Sequence, residues 1–138
     1  MVKKMKAEMV RAIREAEKRT SGEIRVHLKQ RCGEDSLGEA RKVFRRLGLE
    51  RTRERNAVLI FVAPASRRFA VVGGEGIHAK VGEDFWRRVR DTLQMYFSKG
   101  QIEQGIVAGV SEIGEQLKKY FPIKYNDKNE ISDTVSVD

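Results

Sequence analysis

The chain has 138 residues, 40% hydrophobic and 35% charged, with a formal net charge of +8. That length fits one domain, the composition is that of a folded chain rather than a disordered one, and no apolar run approaches the ~20 residues of a membrane span. The basic start Met1-Val2-Lys3-Lys4-Met5-Lys6 is followed by Glu8, Arg11 and Arg14 rather than an apolar stretch, which argues against a signal peptide. The one cysteine, Cys32, has no partner for an internal disulfide. These features together give a cytoplasmic location as the expectation.

Residues 2–19 read as a helix, with Met5, Met9, Ile13 and Ala16 on one stripe. Thr20-Ser21-Gly22 stops it, and Gly22 suits the left-handed position past a helix end. From Glu23 to Lys29 the chain alternates: Ile24, Val26 and Leu28 on one face, Glu23, Arg25, His27 and Lys29 on the other. This is the pattern of a half-buried strand whose polar face is incompletely covered. Cys32 to Asp35 is a loop, and Asp35 or Ser36 can cap a second helix that buries Leu37, Ala40, Val43, Phe44 and Leu47. After the charged connection 50–55, the continuous apolar run Asn56 to Ala63 fits a central strand buried on both faces.

Pro64-Ala65-Ser66 turns the chain, and Arg67 to Gly73 returns antiparallel. Gly73-Gly74-Glu75-Gly76 reads as a turn needing positive φ. A short helical segment follows at Ile77 to Val81, then a helix from Glu83 or Asp84 closed by Gly100, then a last helix over 101–120 with Gly105 and Gly109 permitting close packing. Phe121-Pro122 ends it, leaving a polar tail, 122–138. Two lysines stand against four acids in that tail, a net −2, so residues 1–121 carry +10. The order α-β-α-β-β-α-α predicts a small mixed sheet with helices on both faces, the first two strands parallel through a crossover.

Three groups can carry chemistry. The glycine turn lacks the lysine and serine of a phosphate-binding P-loop and follows a hairpin rather than opening a βαβ unit. Glu75, Glu83 and Asp84, close in sequence beside that turn, can supply oxygen ligands to a hard cation such as calcium, although acids at 83 and 84 also suit a helix start. Arg41, Lys42, Arg45, Arg46, Arg51, Arg53 and Arg55 form a basic stretch, with Arg67, Arg68, Arg87, Arg88 and Arg90 later. Such a surface can meet phosphates or anionic lipid as a peripheral contact. Interleaved acids, and aromatics committed to core positions, make a solvated face the default and disfavour nucleic acid. His27 and His78 lack ligand spacing to a partner, and Cys32, with no activating neighbour in sequence, reads as an inert loop thiol.

Several motifs, in order, resemble one family. The stretch Ala16-Glu17-Lys18-Arg19-Thr20-Ser21-Gly22-Glu23-Ile24-Arg25-Val26 and the stretch Arg55 to Ala63 resemble the cytoplasmic branch of TPM domains. So do Val72-Gly73-Gly74-Glu75-Gly76-Ile77 with Phe85-Trp86, and the closing Phe121-Pro122 with Asn129-Glu130-Ile131. The resemblance covers nearly the whole chain. It implies a three-layer α/β/α sandwich, with residues 1–121 as the TPM-like domain. Members of the wider family are associated with photosystem repair, assembly of membrane complexes, calcium binding and acid phosphatase activity. The family pattern Gly-Asp-x-Gly-Ile has aspartate where this chain has Gly74, and the acidic N-terminal motif of exported members is absent.

The leading expectation is a non-catalytic binding module that supports assembly or repair of other proteins through a protein partner and takes calcium at Glu75, Glu83 and Asp84. The alternative is a weak metal-dependent phosphatase with Arg55 or Arg67 steadying phosphate. The third reading is a basic surface for nucleic acid or anionic membrane.

Overall fold

The structure is a computed structural model and describes residues 2–123 and 135–137, with side chains from residue 7 onward. Met5 of the first helical stripe and Asn129-Glu130-Ile131 of the closing motif therefore lie outside the described side chains and residues.

The central element is the strand β2 (Ala57–Ala63), in which all seven residues are buried. It pairs in parallel with β1 (Glu23–Leu28), in the register Ile24 to Val58 and Val26 to Ile60, and antiparallel with β3 (Arg68–Gly73). The last strand, β4 (Ser136–Val137), pairs in parallel with His27 and Leu28, giving the order β3-β2-β1-β4. This strand is a departure from the expected tail, which carries no pattern of its own. Val135 is buried in the core beside it, so these residues are recruited by the open edge of β1 rather than by local propensity.

Alternation along β2 splits the core in two. Val58, Ile60 and Val62 face α1 (Val2–Glu17), α3 (Glu75–Ser98) and α4 (Ile102–Tyr120), among Met9, Ile13, Val89, Leu93 and Ile113. Leu59 and Phe61 face α2 (Ser36–Arg46), among Ala40, Val43, Phe44 and Leu49. The result is the α/β/α sandwich. Asp35 caps α2 as its sequence suggests, accepting from the Gly38 amide at 2.9 Å. Gly82 has φ +74 inside α3, so the expected short segment and the longer helix meet at a kink. Trp86 Nε1 donates to His78 Nδ1 across that kink at 3.0 Å. Gly105 lies so close to Tyr96 and Phe97 that a Cβ there would meet them at 2.8 and 2.7 Å, which is the close α3–α4 packing expected of it.

Further expectations are corrected: Leu37, expected among the buried residues of α2, is 41% exposed. Glu23 and His27, on the polar face of β1, are 2% and 1% exposed, not open to solvent. His27 stacks on Phe61 with ring centroids 6.0 Å apart. Gly22 does not have positive φ; a Cβ there would meet Leu117 at 2.7 Å, so space rather than backbone conformation requires glycine.

Lys29 at the end of β1 bonds Glu39 of α2 at 3.1 Å, and the Gly33 amide donates to the same carboxylate at 2.7 Å. The Gly33 amide first, and Lys29 second, hold the Glu39 carboxyl below its ordinary 4.5. A lowered folded-state value means the stabilisation is present above pH 4.5 and is lost as pH falls through the depressed value. Thermal melts of the wild type and Glu39→Gln should differ at neutral pH and converge in acid.

Candidate functional site

The hairpin exit runs from β3 into α3 through Gly73 and Gly74, and the loop 52–56 packs directly on it. The Arg55 carbonyl accepts from the Gly76 amide at 2.8 Å and the Ile77 amide at 3.3 Å, so it satisfies the first turn of α3. The Gly74 amide donates to the Ala57 carbonyl at 2.8 Å. None of Gly73, Gly74 and Gly76 has positive φ, contrary to the expected reason for them. Contact explains them instead. A Cβ on Gly73 would stand 2.4 Å from Trp86, one on Gly74 2.4 Å from the Arg55 carbonyl oxygen, and one on Gly76 2.1 Å from that of Glu54. The aspartate of the family pattern at Gly74 therefore has no room while the loop holds this course.

Arg55 itself has φ +54, one of two non-glycine residues with positive φ among those described. Such a backbone costs on the order of 1 kcal/mol, and glycine would relieve it. Its guanidinium is held by the carbonyls of Glu50 and Thr52. Ser21 Oγ and Asn56 Nδ2 both bond Glu54 Oε2, at 2.6 and 3.3 Å, and Glu17, 4% exposed, accepts from the Ile24 amide at 2.6 Å. Thr20 lies with its hydroxyl against the carbonyls of Leu117 and Phe121. The Ser21 and Asn56 contacts tie the α1–β1 turn to the loop, and the Thr20 contacts tie that turn to the end of α4.

The cleft beside this junction has a volume of about 460 Å³. Its wall is Arg41 and Arg45 from α2, Arg51 from the 3₁₀ turn Leu49–Arg51, Arg55 from the loop, and Gly73, Gly74 and Glu75 from the glycine turn, over Phe44. Four arginines face two carboxylates, Glu50 and Glu75. Arg41, Arg45 and Arg51 form no ion pair among the described residues. An adjoining cleft of about 310 Å³ shares Arg41 and Gly73 and adds His78, Glu83 and Arg90.

The three expected cation ligands are distributed differently. Glu75 borders the arginine cleft, Glu83 pairs with Arg90 at 3.3 Å, and Asp84 pairs with Arg87 at 3.1 Å. Among the described residues, no three or more His, Cys, Asp or Glu side chains stand together to hold a metal ion. Of the two expected phosphate arginines, Arg55 is in this cleft and Arg67 is at the opposite end of the hairpin, so they cannot share one ligand. Burial pushes the Cys32 thiol up, which disfavours the reactive thiolate.

Sequence reasoning named Arg41, Arg45 and Arg51 only as members of a basic stretch. The signal for a site was present in the four-residue spacing of Arg41 with Arg45 on α2 and of Arg51 with Arg55 beyond it. Convergence of the two pairs on one cleft requires the tertiary fold.

Residues 2–116 match the family model described as TPM domain, and the chain belongs to that family. Among solved structures, it is similar to the NMR structure of BA42 protein from the psychrophilic bacterium Bizionia argentinensis. That match has 41% identity and a TM-score of 0.90 and covers 98% of this chain and 93% of that one. The N-terminal domain of the cg2496 protein from Corynebacterium glutamicum shares the fold, with a TM-score of 0.63 at 12% identity over 94% of this chain and 75% of that one. No curated protein matches the chain. No helix among the described residues is long and apolar enough to cross a membrane.

Proposed function

We propose that this TPM domain is a non-catalytic binding module whose arginine cleft holds an anionic group of a protein partner, in support of assembly or repair of protein complexes. The observation that carries this reading is the cleft itself: four arginines from two separate segments converge there, three of them without an ion pair among the described residues. Arg55 is held in place by backbone carbonyls, so little side-chain entropy is left to lose on binding. The cleft is concave and bounded by Glu50 and Glu75. That shape and boundary suit a compact phosphate or carboxylate better than a flat bilayer or a nucleic-acid duplex.

Calorimetric titration with inorganic pyrophosphate tests the reading. Binding is expected to weaken about tenfold in Arg51→Ala, the worth of one charge-assisted hydrogen bond at ~1.4 kcal/mol. It should also weaken with added salt. Arg51 is exposed, so the substitution should leave the fold intact. Equal affinity in the variant and the wild type, or no binding in either, would reject the proposal.

Calcium binding remains a separate proposal, resting on Glu75 as the expected ligand that borders the cleft. The phosphatase alternative predicts hydrolysis of a phosphate ester in the presence of calcium, magnesium or manganese. Such turnover would displace the non-catalytic reading.

A further inference from the structure

At the other end of the hairpin lies a second cleft, of about 520 Å³, within the roughly 300–1,000 Å³ range of small-ligand sites. One wall is the connection from β2 to β3. Its 3₁₀ turn, Pro64–Ser66, is clamped from several sides. The Ala65 amide donates to the Gln30 carbonyl at 3.0 Å, and Ser66 Oγ accepts from the Cys32 amide at 2.9 Å while donating to its carbonyl at 3.1 Å. The other wall is the end of α3 and the start of α4, where Gly100 leaves open space.

Phe69 and Phe97 form its apolar surface, packed edge to face with centroids 5.2 Å apart, with Ile102 beside them. Both phenyl rings are only half-buried. Arg67 and Arg68 stand at the same cleft, and no Asp or Glu among the described residues lines it. Arg67 has φ +53, the second of the two non-glycine residues with positive φ among those described. Its side chain has no partner among the described residues, so no contact among them accounts for an arginine where glycine would cost less. A charged side chain kept on a strained backbone, above an aromatic surface free of acids, is complementary to a ligand with one anionic end and an apolar body.

We propose that this cleft binds a small amphipathic carboxylate, its aliphatic or aromatic body on Phe69 and Phe97 and its carboxylate on Arg67. The site is independent of the arginine cleft. The two lie at opposite ends of β2, whose seven residues span about 20 Å.

The test is an amide NMR titration of the full chain with decanoate below its micellar concentration, with 1-decanol as the uncharged control. Decanoate should shift amides within 62–69 and 94–102 and bind about tenfold more tightly than decanol. Arg67→Gly should weaken decanoate about tenfold while its melting temperature stays level or rises, because glycine accepts the positive φ. A purely structural arginine would instead lower the melting temperature and leave affinity alone, which would overturn the proposal. So would equal binding of decanol and decanoate, shifts spread over surfaces away from these segments, or the same shifts from inorganic phosphate alone.

Discussion

Replacing Phe61 by alanine is expected to destabilise the protein by about 3–5 kcal/mol, the range for deleting a large buried side chain. Phe61 is fully buried in the middle of β2 and fills the space between the sheet and α2. It is also the ring on which the buried His27 stacks. Its removal leaves both a cavity and a histidine with one face uncovered, in a site that backbone pairing on both sides of β2 prevents from collapsing. A domain of this size is typically stable by roughly 5–15 kcal/mol, so about a fifth or more of the total is at stake. Urea denaturation should show a lowered midpoint with an unchanged slope. Phe69→Ala, at a half-buried position, should cost less.

Gly76→Ala is the second large effect, expected at about 3 kcal/mol, the upper end for overpacking. The added Cβ would stand 2.1 Å from the Glu54 carbonyl oxygen and 2.9 Å from that of Arg55. Both obstacles are backbone, and neither can step aside cheaply. The Arg55 carbonyl is bonded to the Gly76 and Ile77 amides, and Glu54 is held through Ser21 and Asn56. Relief requires moving the loop that carries Arg55 and follows directly on Arg51. The variant should therefore lose pyrophosphate binding as well as stability, measured by a chemical melt and a titration on the same sample. Gly82→Ala offers a contrast. Nothing lies within 4 Å of its Cβ position, so only the positive φ is penalised, at about 1–2 kcal/mol.

The fold was largely legible because its main signals are local. The unbroken apolar run of β2, strand-length and rich in β-branched and aromatic residues, fits a strand buried on both faces. The stripe Met9, Ile13 and Ala16 and the break at Gly82 depend on spacing within one element. What the sequence hides is burial decided by distant partners. Glu23 and His27 sit on a polar face that the pattern leaves open to solvent, yet tertiary packing covers them. Ser136 and Val137 become a strand only because β1 offers an edge. Glycines 73, 74 and 76 were recognisable as a special turn. The physical reason for them is the loop 52–56 and Trp86 pressed against their α-carbons, which no local pattern encodes.

The same distinction holds for the site. Proximity along the chain grouped Glu75, Glu83 and Asp84, but the kinked helix points two of them to arginines on their own helix. The arginines of the cleft come from α2 and from the loop beyond it, and the fold brings them together beside the glycine turn.

The most direct measurement is an amide NMR titration of the full chain, with inorganic pyrophosphate in one series and calcium in another. Pyrophosphate shifts should be confined to residues 41–55 and 73–76, and in Arg51→Ala should need about tenfold more ligand. A silent pyrophosphate series, with calcium alone shifting residues 75–84, would contradict the anion-binding reading.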